Sequence, residues 1–407
     1  MNVPNPLLIV CALTLLALRL PASAQEFLES LDKALTLSST DASLRADLSG
    51  LLDLEAYAPE TPALGLLNTD DALFFNPRLT LMLDVQAGAH WRAHAQLRTD
   101  RGFDPGFAPD GQTRLDEYFL EWKPLESDAL HVRVGKFATA FGAWNQRRLS
   151  WENPFITAPA AYGDMLPVTD SAVAPLAGFL GRRGKPDNPQ TWVPIIWGPS
   201  YATGVSVFGR LAQIDYAFEV KNASLSSRPN AWDATQNGWQ STTYTGRLGW
   251  RPAPEWNFGT SFSHGPYLLP ESQSSLPIDT SWRDFDQTTF GLDASYAHDR
   301  WLIWAELMNS RFEVPNVGAV RVLSGFIEAK YKLNAQWWLA SRWNQSWFGD
   351  IPTTSRAWDN DGWRLDLALG HRFSRNVQAK LQYSLAERSG NDQEGNHLLA
   401  AQITVKF

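Results

Sequence analysis

Residues 399–407 alternate without a break, with Leu399, Ala401, Ile403, Val405 and Phe407 on one side and Ala400, Gln402, Thr404 and Lys406 on the other. Side chains of an extended strand alternate between its faces, so this pattern predicts a strand with one apolar and one mixed-polar face, ending on an aromatic residue. The period recurs upstream. Residues 44–56 set Leu44, Ala46, Leu48, Leu52 and Leu54 against Arg45, Asp47, Ser49, Asp53 and Glu55. Alternating stretches follow at 79–85, 91–97, 114–122, 131–136, 201–207, 214–220, 244–250, 256–262, 290–296, 301–307, 323–333, 337–343, 363–369 and 377–385. With the first and last segments these make about 16 strands of roughly 8–12 residues, the length a tilted strand needs to cross the hydrocarbon of a bilayer.

The connections alternate in length as well. Short turns join strand pairs, as at Arg251-Pro252-Ala253-Pro254, His298-Asp299, Asn334-Ala335 and Ser374-Arg375-Asn376. Long polar connections rich in Gly, Pro, Asn and Asp lie between pairs, at 57–77, 100–113, 223–240, 265–286, 310–320, 348–362 and 387–396. Short turns on one side and long loops on the other are the pattern of an all-β, antiparallel transmembrane barrel of a bacterial outer membrane. An even strand number puts both termini in the periplasm. The barrel is expected over residues 44–407, preceded by a short periplasmic segment at 25–43.

One connection stands apart. Residues 137–200 contain no convincing strand, yet they are dense in Trp, Phe, Ile and Leu that need burial. A segment so long and so apolar is expected to fold rather than to wander, and the interior of the barrel is the place open to it.

The amino terminus reads as a secretory leader. Residues 7–18 form an unbroken apolar run, too short to span a bilayer, and Pro21-Ala22-Ser23-Ala24 is a small-x-small cleavage motif, so residues 1–24 are expected to be removed. The segment before the apolar run carries no Lys or Arg, and Arg19 lies on its far side, off the usual pattern. Cys11, the single cysteine, falls inside this leader, which excludes disulfides and thiol chemistry from the mature chain. A mean hydropathy of -0.27 and 19% charged residues exclude a helical membrane protein. The net charge of -8 argues against nucleic acid as a partner. The 19 Trp residues suit girdles at the two bilayer interfaces, with a sugar-binding track as the alternative.

Two features resemble known families. The third long connection, 137–200, is placed like the inward-folded third loop of sixteen-stranded porins. Its entry, Val134-Gly135-Lys136-Phe137-Ala138-Thr139-Ala140-Phe141-Gly142, is similar to the Gly-Lys-Phe-x-x-Pro-Phe-Gly element of the phosphate-selective porin O/P family, with Ala140 in place of the Pro. The resemblance implies a porin: a passive channel of the Gram-negative outer membrane for small hydrophilic solutes, narrowed by this loop; it does not extend to phosphate as the substrate, and the lean toward anions rests on the arginines below. The same resemblance implies contact with outer-membrane lipid and lipopolysaccharide, recognition by the barrel-assembly machinery through Phe407, and a homotrimer. A substrate-specific sugar or anion channel, and a structural sheath around a partner such as a cytochrome, fit the same pattern.

The polar strand faces then point inward and carry both charges. The candidate constriction residues are Arg92, Arg98 and Arg133 on the strands, Lys136 at the loop entry, and Arg147, Arg148, Glu152, Asp164, Arg182 and Arg183 within the loop. Guanidinium groups bind oxyanions through bidentate hydrogen bonds, which is why this arginine-rich neighbourhood points to anion handling. No nucleophile elbow, zinc-binding HExxH or phosphate-binding P-loop occurs, so no catalytic residue, metal ligand or cofactor is expected. His90 and His94 share a strand face without further ligands, and Asp359-Asn360-Asp361-Gly362 reads as an Asp-Gly turn in preference to a calcium clip.

Overall fold

The computed structural model describes residues 30, 34–41, 43–60, 65, 67, 69, 71–102, 108, 110–185, 191–352, 354–389 and 396–407. The leader read into residues 1–24 lies outside them. Sixteen antiparallel strands close into one barrel. In chain order the first of these are β2 (Leu44–Pro59), β3 (Phe74–Ala87), β4 (Trp91–Asp100), β5 (Gln112–Trp122) and β6 (His131–Phe137), preceded by a short β1 (Thr36–Ser38) that folds back on the start of β2. After the long segment come β9 (Ala202–Leu211), β10 (Ile214–Lys221), β11 (Thr243–Ala253), β12 (Trp256–Pro266), β13 (Asp286–His298) and β14 (Trp301–Val314). The wall ends with β15 (Gly318–Lys332), β16 (Trp337–Phe348), β17 (Gly362–Arg372), β18 (Val377–Arg388) and β19 (Asn396–Lys406). Each strand pairs with its neighbour in sequence, β6 pairs with β9 across the long segment, and β19 pairs with β2 to close the ring.

The seam shows what the terminal aromatic does. The Gly50 N–H donates to the Phe407 carbonyl at 2.8 Å, and the Phe407 N–H donates back to Gly50 at 3.1 Å. The Phe407 ring lies over Gly50 so closely that a Cβ there would come within 2.4 Å of the ring. Only a glycine admits the ring at this point of the joint.

Alternation sorts the two faces. Leu48, Leu83, Leu120, Leu248, Leu292, Ile327 and Leu367 stand exposed around the outside, while Glu328, Arg342, Asp366 and Gln382 on the inner face are buried. Aromatic pairs ring the short-turn end: Trp91 with Trp122 at 6.1 Å, Trp256 with Tyr296 at 4.7 Å and Trp301 with Tyr331 at 4.6 Å between ring centres. An apolar belt bounded by aromatics matches a hydrocarbon slab bounded by its interfaces.

Three features depart from the expected pattern. The long connection expected at 310–320 is a tight turn, because β14 runs to Val314 and β15 starts at Gly318, with Val314 and Gly318 in register. Asn316 at φ +63° and Gly318 at φ +97° supply the left-handed backbone that this turn requires. Here the inner face changes from polar to apolar, with Phe312, Val320 and Val322 fully buried, so period-2 patterning fades although the strands continue. Secondly, the register of β4 on β5 shifts between Gln96 and Leu97, and the bulge leaves Asp116 and Glu117 both buried although they are consecutive. Thirdly, segment 137–200 carries short elements of its own, including a two-stranded sheet of β7 (Leu166–Thr169) and β8 (Trp192–Val193) and a helix α1 (Leu176–Leu180).

Candidate functional site

The interior is organised by residues 137–200, and its entry is held by inward carboxylates. Gly142 has φ +71°, and a Cβ there would meet the Tyr162 hydroxyl at 2.3 Å, so the close turn requires a glycine. The Glu219 carboxylate on β10 accepts the Ala140 N–H at 3.1 Å and the Thr139 hydroxyl at 3.3 Å. On β14, Glu306 accepts the N–H groups of Ala143 (3.0 Å) and Trp144 (2.6 Å) and the Tyr162 hydroxyl (2.6 Å). Burial and the neighbouring Glu306 push the Tyr162 phenol well above its ordinary pKa, which keeps it a donor. Phe141 lies against Gly291 of β13, where a Cβ would fall 2.8 Å from its ring.

Further along, cations on the far wall take the segment's carbonyls. Lys380 on β18 donates to the carbonyls of Ser150 (2.8 Å), Asn153 (3.0 Å) and Phe155 (3.0 Å). Arg342 on β16 donates to the carbonyls of Thr157 (3.0 Å) and Ala158 (3.1 Å), while its Nε binds Asp366 at 2.8 Å. Gln382 accepts the Ile156 N–H at 2.6 Å, Asn344 accepts that of Ala160 at 2.9 Å, and Arg364 pairs with Asp164 at 2.7 Å. Buried backbone groups need partners, and here the barrel wall supplies them. The segment therefore crosses from β6 to β16–β18 and is fastened on arrival.

Apolar packing fills the region beyond these anchors. Phe141, Met165, Val168, Phe179, Ile196 and Trp197 join Met308, Phe312, Val320 and Trp358 in one buried cluster. Phe155 enters a second, against Trp338 and the alanines Ala340 and Ala368, whose small side chains leave it room.

The space that remains lies mainly along β2–β6 and β9–β11, and its smaller part also touches Gln402 of β19, Ser384 of β18 and Arg364 of β17. One cavity, of about 190 Å³, is bounded by Asp53, Glu55, Arg78, Arg98, Asp100 and the segment's Trp144. The second, of about 570 Å³, opens toward the short turns and is bounded by Arg92, His94, Arg133, Arg210, Asp215 and Arg251. Arg148 lines both. Its guanidinium pairs with Glu117, donates to the Tyr201 hydroxyl at 3.1 Å and is braced by the Asn145 carbonyl at 2.9 Å. Gln96 donates to the same Tyr201 hydroxyl at 3.2 Å. A cation that faces both cavities is thus held by a carboxylate and a phenol.

The candidate residues scatter across this interior. Arg92 pairs with Asp84 (2.8 Å from Nε) and Arg133 with Glu121 (3.0 Å), both on the wall of the larger cavity. Arg133 lies between the rings of Phe119 (4.3 Å) and Phe208 (4.6 Å). Arg98 lines the smaller cavity instead, 3.1 Å from Asp116, so the three arginines do not form one group. Arg147 pairs with Glu328 at 2.5 Å and lies over Trp304, away from both cavities. Lys136 is not on the inner face. It stands directly opposite Tyr118 on the outer face, donates to the Leu115 carbonyl at 2.9 Å and lies 3.6 Å from Asp233, which also accepts the Tyr118 hydroxyl. Glu152 and Arg183 are exposed, and Arg182 reaches the Thr169 hydroxyl at 3.4 Å; none of the three lines either cavity. Alternation places Glu219, Glu306, Lys380 and Gln96 on the inner face, as observed, but nothing in their own strands or in that of Tyr201 reveals the segment that meets them. Among the described residues, no group of three or more His, Cys, Asp or Glu side chains is placed to hold a metal.

This architecture recurs in solved structures. An anion-selective porin from Comamonas acidovorans superposes with a TM-score of 0.55 at 10% identity, over 89% of this chain and 100% of that one. OmpF of Salmonella typhi, solved in complex with daunomycin, gives 0.57 at 9% identity over 91% and 100%. OmpT, an outer membrane protein of Vibrio cholerae, in its trimer form, gives 0.56 at 10% identity over 90% and 100%. The fold is that of the outer-membrane porins. No protein-family model matches the sequence, and no curated protein matches it significantly.

Proposed function

We propose that this chain is a porin of a Gram-negative outer membrane, through which small hydrophilic solutes diffuse passively. The observation that carries the reading is the pair of cavities, both lined by Arg148, inside a closed barrel with an apolar outer belt. Residues 137–200 pack against the β12–β18 side and leave the aqueous path mainly to the β2–β6 side, with Arg148, held by Glu117 and Tyr201, on the wall that both cavities share. In this reading residues 1–24 direct export, the belt meets lipid and lipopolysaccharide, and Phe407 with its strand is the signal for the assembly machinery. The solved trimer form of OmpT supports a homotrimer.

Charge on the path supports a lean toward anions. In the arginine pairs of the larger cavity the arginine is the more exposed partner: 41% against 29% for Arg92 and Asp84, and 22% against 10% for Arg133 and Glu121; in the smaller cavity Asp164 is more exposed than Arg364. Water in the larger cavity therefore meets guanidinium first and carboxylate second. The sheath reading finds less support, since the volume that a partner would need holds the chain's own segment. Purified barrel added to a planar lipid bilayer is expected to give discrete, ohmic current steps with a reversal potential on the anion side. Folded protein that inserts without steps would overturn the channel reading.

A further inference from the structure

The short-turn end of the larger cavity holds an arrangement that pairing alone does not explain. Asp215 on β10 is shared by two arginines from the neighbouring strands. Arg210 on β9 donates its Nε to one carboxylate oxygen at 2.7 Å, and the Nε of Arg251 on β11 lies 2.7 Å from the other. The two cations outnumber the anion between them. They are also the exposed members of the cluster, with side chains 50% and 45% accessible against 21% for Asp215. Arg210 is hydrogen-bonded through Nε, whereas Arg251 pairs with Asp215 as an ion pair without hydrogen-bond geometry; among the described residues the Nη atoms of both guanidiniums have no partner. The wall around them also carries Arg92, Arg133 and Arg247, which are paired with Asp84, Glu121 and Asp293, so the excess of guanidinium over carboxylate is local to Asp215.

A guanidinium whose Nε is occupied still offers its Nη donors, and Asp215 fixes two such groups side by side at the mouth of the cavity. We propose that Arg210 and Arg251, clamped by Asp215, form a docking site for small doubly charged oxyanions at the short-turn entrance. A second negative charge favours such solutes over chloride because both guanidiniums act on it at once, and oxyanion geometry suits their planar donors. Arg247, on the same strand as Arg251, pairs with Asp293 at 2.6 Å and adds no unpaired charge. The proposal rests on the channel reading for its role in transport, though the binding itself does not depend on it.

The test uses sulfate, whose charge is constant over the working pH range. Chloride current through the full-length barrel is titrated with sulfate on each side of a planar bilayer, and sulfate binding to the detergent-purified barrel is measured by calorimetry. Block is expected from the short-turn side at lower concentration than from the other side. The Arg210→Gln/Arg251→Gln variant should raise both the half-blocking concentration and the calorimetric dissociation constant about tenfold, since it removes charge-assisted donors. Asp215→Asn should lower both or leave them unchanged. Sulfate binding that survives the double variant, or is lost in Asp215→Asn with the barrel still folded, would overturn the site. Calorimetric binding without any chloride current would retain the site and reject the channel.

Discussion

Arg148 lines both cavities, so its charge and bulk act on whatever passes between them. Replacing it by Gln removes the ion-pair partner of the buried Glu117 and leaves the Ala138 N–H, at 2.8 Å, as its hydrogen-bond donor among the described residues. Arg148→Gln is expected to shift the reversal potential toward cations, more at low salt than at high salt, because mobile ions screen a charge over roughly 8 Å at physiological strength. An unchanged reversal potential at every ionic strength would place the limiting point elsewhere. Lys380 acts on the opposite wall by a different means, since its ammonium satisfies three carbonyls of the segment. Lys380→Met removes all three bonds and is expected to loosen the segment, read as greater open-channel noise with the barrel's heat-modifiable mobility preserved. Current as quiet as that of the parent would mean that the remaining anchors suffice.

Among the elements, segment 137–200 sets how wide the passage is. Deleting residues 158–189 removes Tyr162 and Asp164 along with much of the apolar packing, and is expected to raise single-channel conductance about twofold or more, since ionic flow follows the free cross-section. Unchanged conductance in a folded deletion variant would place the segment off the path. Strand placement was legible because two environments, lipid outside and polar interior inside, force opposite chemistry on alternate residues. It faded where the interior itself becomes apolar, as at Phe312, Val320 and Val322, and where a bulge turns Asp116 and Glu117 to the same side. The site was less legible. Arg92 and Arg98 are six residues apart on one strand, which separates them by about 20 Å along it and places them in different cavities. Lys136 lies three residues from Arg133 and so on the opposite face, which alternation alone indicates. The meeting of Arg148 with Glu117 and Tyr201 joins positions far apart in sequence and follows only from the closed ring.

At the scale of the whole molecule, closure depends on the joint between β19 and β2. Because the Phe407 ring occupies the place of a side chain at Gly50, Gly50→Val is expected to reduce the yield of heat-modifiable barrel as Phe407→Asp does. Normal yield in both variants would remove the joint from the account of assembly. The central claim is that solutes pass on the β2–β6 side of the segment and not on the side it fills. The chain's single cysteine lies in the expected leader, so a cysteine can be introduced at one interior position at a time. The most direct test compares Arg148→Cys with Ala340→Cys during single-channel recording, with a charged thiol reagent added to the bath. The account predicts a stepwise fall in current for Arg148→Cys and none for Ala340→Cys, which lies buried beside Phe155. A fall in current at Ala340→Cys with no effect at Arg148→Cys would contradict it.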